Sequence, residues 1–308
     1  MKNLLFKSLA LLVIIILFYS CSNRQLVQQN TVSYEPEKTA LVGPKKKLIV
    51  IDFENKSAYG QQRLGKGISD VLTTELSRTN NFILVEREKL QSLINEQILG
   101  ETGLVNQQNS VKIGNMLGAD AIITGSITQF GTRTETYDVI LTSGKKQIAN
   151  CAVDLRIVDV STGQIVWAGS GAGEASVEHK NFLGSGKAGG YDETLEGEAF
   201  RAAIVKVMKN LIDAINQKIE WKCYVAKVTD TQKLYLSSGK KSNLDLGMKL
   251  GIFRLGEEII DPSSGLVLAR EETKIGEGVV SSFIGEDASI FEYSANTVVK
   301  TGDICKIF

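Results

Sequence analysis

Leu48-Ile-Val-Ile-Asp-Phe53 is followed, after a polar turn, by Leu64, Ile68, Val71, Leu72 and Leu76, and then by Phe82-Ile-Leu-Val85. The first run is continuous and apolar, as a buried strand requires. The five residues after it recur at helical spacing, and Lys66, Asp70, Glu75 and Arg78 occupy the opposite face. Phe82 to Val85 reads as a second short strand. A strand, an amphipathic helix and a strand in this order place the chain among α/β folds of two or three layers.

The pattern continues toward the C-terminus. Leu90, Leu93, Ile94 and Ile98 predict a second amphipathic helix, and Val111 to Leu117 a short third one ending near Gly118. Ala121 to Ile127 is the next strand. The middle is β-rich, with Phe130 to Leu141 and Gln147 to Val160 extended and a turn at Ser143-Gly-Lys-Lys146. Thr162-Gly163 turns into Gln164 to Ala168, and a Gly-rich stretch covers Gly169 to Gly190. Glu198 to Ile219 closes this part as a long helix whose buried stripe is Phe200, Ile204, Val207, Leu211 and Ile215.

From Glu220 to Phe308 the reading changes to short apolar runs at Trp221 to Val228, Lys233 to Leu236, Leu250 to Leu255, Glu258 to Ile260, Leu266 to Ala269, Gly276 to Ser282, Ala288 to Phe291 and Asp303 to Phe308. Turn residues at Ser238-Gly239, Asp261-Pro-Ser-Ser-Gly265 and Thr301-Gly-Asp303 separate them. Many short strands with regular turns predict a small β-barrel. Cys223 and Cys305 fall in its first and last strands, which neighbour each other when a small barrel closes. They are either a disulfide or two buried thiols. Cys151 reads as a small core residue.

At the other end, Lys2 and Lys7 precede the uncharged run Ser8 to Tyr19, SLALLVIIILFY, which is short for a membrane span and suited to a signal peptide. Ser20-Cys21 at its end resembles a lipobox, although Phe18 and Tyr19 stand where a branched aliphatic and a small residue are usual. The resemblance implies that residues 1–20 are removed and that Cys21 is acylated with palmitate-like chains. Each buried CH₂ of such a chain contributes about 0.8 kcal/mol to membrane attachment. The alternative is an uncleaved anchor; both place the rest of the chain outside the cytoplasm. Ser22 rather than Asp follows the cysteine, which by resemblance to enterobacterial sorting favours the periplasmic face of the outer membrane. Residues 21–47 are polar, contain Pro36 and Pro44, and read as a flexible tether. Lys45-Lys-Lys47 reads as a solvated domain edge or as a contact for anionic head groups.

Composition narrows the function. The 308 residues hold 43 % hydrophobic and 23 % charged residues, and Lys+Arg equals Asp+Glu at 35 each. That supports a buried core and argues against nucleic acid as a partner, which needs clustered positive charge. One histidine, His179, and four cysteines without metal spacing give little basis for imidazole catalysis or a metal site. Gly184-Ser-Gly-Lys187 lacks the spacing and the hydroxyl of a phosphate loop, and Gly65-Lys-Gly67 is an incomplete dinucleotide fingerprint. Glu86-Arg-Glu-Lys89 reads as a charged helix start or as part of a subunit interface. No cofactor and no enzymatic activity are expected.

The segments IDFENKS, GKGISDVLTTELSRTNNFILVEREKLQSLINEQ, LGADAIITGSI, VDLRIVDVSTGQIVWAGSGAGEAS and EGEAFRAAIVKVMKNLIDAI resemble the CsgG family over most of Leu48 to Ile219. VAKVTDTQKLYLSSGKKSNLDLGMKLGIFRLGEEIIDPSSGLVLA, with KTGDICKIF at the end, resembles the C-terminal SH3-like barrel of the flagellar assembly protein T family. The resemblances imply residues 48–219 as a CsgG-like α/β periplasmic domain and residues 220–308 as a small all-β SH3-like barrel. They further imply a homo-oligomeric ring at the outer membrane, in which each subunit lends two β-hairpins to a shared barrel and a loop after the first strand narrows the pore.

Here that loop, Glu54 to Gln62, is short and has Tyr59 as its only aromatic, so no constriction residue is assigned. The candidate hairpins are Phe130 to Leu141 with its return strand and Ile165 to Asp192. Phe130, Tyr137, Ile140, Trp167 and Phe182 mark these candidate membrane hairpins or loops, and of the two faces of the first strand the one with Phe130 and Ile140 is the more compatible with lipid. Asp138 and Asp154 interrupt the first, and a surface loop is the favoured reading of the second. Two functions follow: a ring that supports export or assembly of secreted, curli-like surface proteins, or a non-channel periplasmic adaptor, structural or regulatory, of an envelope machine. Both act on envelope or secreted protein partners.

Overall fold

The computed structural model describes residues 43–60, 63–86, 113–139, 142–182, 194–229, 232–263 and 267–308, and the side chains of 138, 139, 142, 143 and 179–182 fall outside that description. Cys21, the signal peptide, most of the tether, the helix expected from Leu90 to Ile98, Ile140 and Gly184 to Lys187 therefore lie outside the described residues.

β1, Lys46–Val50, organises the first sheet. It pairs in parallel with β3, Phe82–Leu84, on one side and with β4, Ala121–Val139, on the other, in the registers Leu48↔Leu84 and Leu48↔Ala121. Where a strand is flanked on both edges and covered on both faces its residues must be apolar, and Leu48 and Ile49, which point to opposite faces, are both fully buried, whereas Lys46 and Lys47 at its start are half-buried. β2, Glu54–Asn55, adds to β4 at Ser126 and Ile127. The sheet continues through β5, Thr142–Asp159, to β6, Ile165–Phe182, in the order β3-β1-β4-β5-β6.

A parallel pair needs a crossover, and α1, Arg63–Thr79, supplies it between β1 and β3. Its Leu64, Ile68, Leu72 and Leu76 are buried as their spacing predicts. Glu75, expected on the polar face, is buried as well. Arg201 Nε reaches it at 3.0 Å from α2, Thr194–Lys218, and Arg78 lies 3.3 Å away on its own helix. Of the four polar residues read on the outer face of α1, Glu75 alone turns toward α2, while Lys66, Asp70 and Arg78 are exposed. All five stripe residues of α2 are buried. The short third helix covers 113–117 and ends at Gly118, whose φ of 60° is the left-handed stop a glycine allows.

Two expectations for the middle of the chain fail. Ser143 to Lys146 do not form a turn but lie within β5. Ile165–Phe182, read in favour of a loop, is one strand. The reason is the same in both places: the glycines serve close packing and not chain reversal. A Cβ at Gly171 would overlap the carbonyl oxygen of Ala203, and one at Gly173 the Ala203 nitrogen, so β6 and α2 approach through glycine and alanine alone.

The C-terminal strands are β7, Cys223–Val228; β8, Lys233–Leu236; β9, Lys249–Ile260; β10, Val267–Ile284; β11, Ala288–Ala295; and β12, Ile304–Lys306. They close into a barrel in the order β10-β11-β8-β7-β12-β9. Leu234, Leu236, Leu250, Ile252, Phe291 and Cys305 fill it and are fully buried. The fold is therefore mixed α/β with two sheets. The four runs expected between Leu250 and Ser282 merge into two long strands, whose register shifts at Val267/Ala269, Arg270/Glu272 and Lys274/Gly276. Bulges of this kind keep a long antiparallel pair coiled and continuous across residues that locally read as breaks.

Of the described residues, 134–139, 142–147 and 176–182 form one compact unit and the rest another.

Candidate functional site

The strands β4, β5 and β6 have 19, 18 and 18 residues. Crossing a bilayer takes about 9–11 residues of tilted strand. Each strand thus has the length to belong to the sheet and to span a membrane as well. β1 engages β4 only from Ala121 to Ile123, and β2 only at Ser126 and Ile127. Beyond Ile127 no described strand pairs with that edge of β4. Unpaired backbone along a long strand is a ready template for another chain.

Within the larger unit, the loop after β2 folds back on itself. Asn55 Oδ1 accepts the Ser57 backbone N–H at 3.0 Å and its hydroxyl at 2.7 Å, while Asn55 Nδ2 donates to the Tyr59 carbonyl at 2.7 Å. This Asx turn sets Tyr59 against Phe130, ring centroids 5.2 Å apart, and Phe130 in turn against Phe200 of α2 at 5.5 Å. Phe130 is buried, so it is a core residue and not a lipid-facing one, which corrects the sequence expectation. Periodicity on β4 could not show that α2 lies across that face. Beside this stack opens a groove of about 790 Å³ lined in part by Lys56, Arg133, Lys206 and Glu174. Its other lining residues are small, polar or apolar, Ser57, Thr128, Asn150 and Ala172 among them.

In the smaller unit, Tyr137 on β4 lies over Gly144 on β5, and its hydroxyl donates to Glu178 Oε1 on β6 at 2.6 Å. A Cβ at Gly144 would overlap the tyrosine ring, so one missing side chain lets a residue of the first strand reach the third. That hydrogen bond, with lesser help from desolvation and the carboxylate charge, raises the Tyr137 pKa.

Residues 29–238 match the family model described as curli production assembly/transport component CsgG. The chain belongs to the CsgG family. It is 34 % identical over 205 residues to "Putative lipoprotein NMB1126/NMB1164" of Neisseria meningitidis serogroup B, a match covering 63 % of this chain and 86 % of the relative. It is 26 % identical over 234 residues to the curli production assembly/transport component CsgG of Escherichia coli K12, covering 67 % and 84 %. Among solved structures, lipoprotein GNA1162 of Neisseria meningitidis aligns at 17 % identity over 55 % of this chain and 98 % of that one, with a TM-score of 0.32.

In this CsgG-family chain the other candidate residues are scattered. Trp167 is half-buried with its ring over Gly169 on the same strand face. The Phe182 side chain and Ile140 lie outside the described residues. Cys223 and Cys305 are register partners on β7 and β12 and stand as two buried free thiols. Burial first, then the hydrogen bond to Cys305, pushes the Cys223 thiol well up. Burial alone pushes Cys151 up to about 12. Among the described residues no group of three or more His, Cys, Asp or Glu converges as a metal site.

Proposed function

We propose that this CsgG-family chain is an outer-membrane lipoprotein, anchored through Cys21 on the periplasmic side, whose copies assemble into a ring that supports export or assembly of secreted, curli-like surface proteins. The observation that carries the reading is the length of β4, β5 and β6 together with the open edge of β4 beyond Ile127. Strands inside lipid must have every backbone group paired, so an open-edged ribbon requires neighbours. A second copy offers the same strands and closes a multi-subunit barrel. Transport through a water-filled lumen, and not covalent chemistry, is then the activity. The C-terminal barrel, read as SH3-like, would be a packing or docking module outside the membrane.

A second reading, a non-channel periplasmic adaptor, is favoured by one specific observation. Glu135, Lys145, Lys146 and Glu178 put charge on the strand segments that would meet lipid. Charged residues at mid-membrane on the lipid face cost about 2–4 kcal/mol for the basic ones.

Three measurements divide the readings. Palmitate labelling lost in Cys21→Ala supports the anchor, and unchanged labelling refutes it. Negative-stain images of the detergent-extracted protein should contain rings. Those rings, placed in planar bilayers, should give defined single-channel steps; silence from well-formed rings favours the adaptor.

A further inference from the structure

Between β1 and the start of β7 lies a cleft of about 350 Å³ that the export reading does not use. Lys45, Lys47 and Lys222 line it, and Asp120 is the one carboxylate among its described lining residues. Lys45 Nζ donates to Asn80 Oδ1 at 2.7 Å, and Lys222 Nζ to Ser161 Oγ at 2.6 Å, so both ammonium groups are held by neutral partners. Among the described residues the Lys47 ammonium has no hydrogen-bond partner. Burial pulls Lys222 below the usual lysine range and outweighs the attraction of Asp120, Asp159 and Glu272.

The rest of the lining suits a compact polar guest. Ser238 and Ser242 are buried and Ser237 exposed, all three facing the cleft, while Trp221 and Tyr224 give it an aromatic wall. Among the described lining residues three cations stand against one carboxylate, a net charge of +2 while Asp120 is ionised, with Asp159 and Glu272 acting on Lys222 from outside the lining. A carboxylate would neutralise half of that. A phosphate monoester, which carries close to two negative charges above its second pKa of about 6, would neutralise nearly all of it.

We propose that this cleft binds the phosphate monoester of a small ligand, with Lys45, Lys47 and Lys222 as its counter-charges and the serine hydroxyls as neutral donors. Asp120 then acts as a proton-coupled modulator. Lys46 and Lys47 face it from β1, Lys222 from the residue before β7, and Cys223 and Tyr224 from the start of β7. An anion placed next to its carboxyl favours the protonated form, so binding takes up a proton near neutral pH and weakens as pH rises.

The test is calorimetric titration of the detergent-solubilised full chain with glycerol 3-phosphate, in two buffers of different ionisation enthalpy. Saturable binding with proton uptake is expected. K47Q and K222Q should each weaken it about tenfold with unchanged far-UV spectra, and D120N should tighten it and abolish the proton uptake. Dihexanoyl phosphatidic acid, titrated as monomers, separates the sources: binding of the lipid alone assigns a membrane head group, and binding of glycerol 3-phosphate alone a soluble monoester. Absence of saturable heat with either probe, or equal affinity in wild type, K47Q and K222Q, overturns the proposal. Because D120N keeps the shape and removes only charge, failure of that variant to tighten binding counts against it even if a lysine variant unfolds.

Discussion

Lys47 and Asp120 hold each other through two hydrogen bonds at the entry to β4. The Lys47 backbone N–H donates to Asp120 Oδ2 at 2.7 Å, and the Asp120 backbone N–H donates to the Lys47 carbonyl at 2.8 Å. One side chain thereby completes a ladder bond that the parallel β1–β4 pair would otherwise leave open. The cost is a carboxylate in a buried place, and burial outweighs that hydrogen bond and the nearby lysines to raise its pKa to about 7.

That shift sets a pH dependence. Between the unfolded value of 3.8 and about 7, the native state holds a proton that the unfolded chain has released. The contribution of Asp120 to stability is therefore complete below the unfolded value and is lost as pH rises through about 7. D120N, which cannot ionise, should be more stable than wild type near pH 8 by on the order of a few kcal/mol, with the difference shrinking toward about pH 4. Urea melts at the two ends of that range measure it. A difference independent of pH would contradict the assignment.

Gly144→Ala should displace the Tyr137 ring and break its bond to Glu178. Because that bond is the first cause of the raised Tyr137 pKa, the variant's phenol should titrate at lower pH, as should that of E178Q. Difference absorbance with Y137F as the blank isolates the one tyrosine. An unmoved titration would show that Tyr137 does not reach across β5.

Gly171→Ala places a methyl against the Ala203 carbonyl, a backbone atom that cannot rotate away. A loss of about 1–3 kcal/mol is expected, as for other overpacked contacts. Gly197→Ala, on α2 with open space around it, should be neutral or slightly stabilising. Equal effects of the two substitutions in thermal melts would remove the close approach of β6 and α2.

Arg201→Ala removes the 3.0 Å partner of fully buried Glu75 and should destabilise by about 2 kcal/mol, since it leaves a buried carboxylate short of a counter-charge. Arg78→Ala removes a half-exposed partner at 3.3 Å and should cost about 1 kcal/mol or less. The order of the two effects is the check.

Cys151, Cys223 and Cys305 are buried, with thiol pKa values raised at Cys151 and Cys223, so none should react with iodoacetamide in the native protein. In denaturant without reductant, mass spectrometry should find all three alkylated. Alkylation of Cys151 alone would mean that Cys223 and Cys305 had joined.

Several elements were readable from the chain because their burial is local and periodic. β1 is covered on both faces, α1 and α2 each carry one apolar stripe, and Lys233–Leu236 is bounded by turns, so each element announces itself in its own residues. Residues whose role is set by something distant were misread. Phe130 looked like part of a lipid-compatible strand face and is stacked between Tyr59 and Phe200. Glu75 looked solvated and meets Arg201 from 126 residues away.

From the order and periodicity of its apolar residues the chain announced an α/β sheet followed by a closed β structure, and the resemblance of its segments to the CsgG family announced its kinship. Tertiary structure alone decided which glycines pack, which charges are buried, and that Lys45, Lys47, Asp120 and Lys222 share one cleft. The physical reason is range. Secondary structure follows hydrogen bonds and burial repeating every few residues, whereas the convergence of charge depends on strand pairings between residues more than 70 positions apart, such as Leu48 and Ala121.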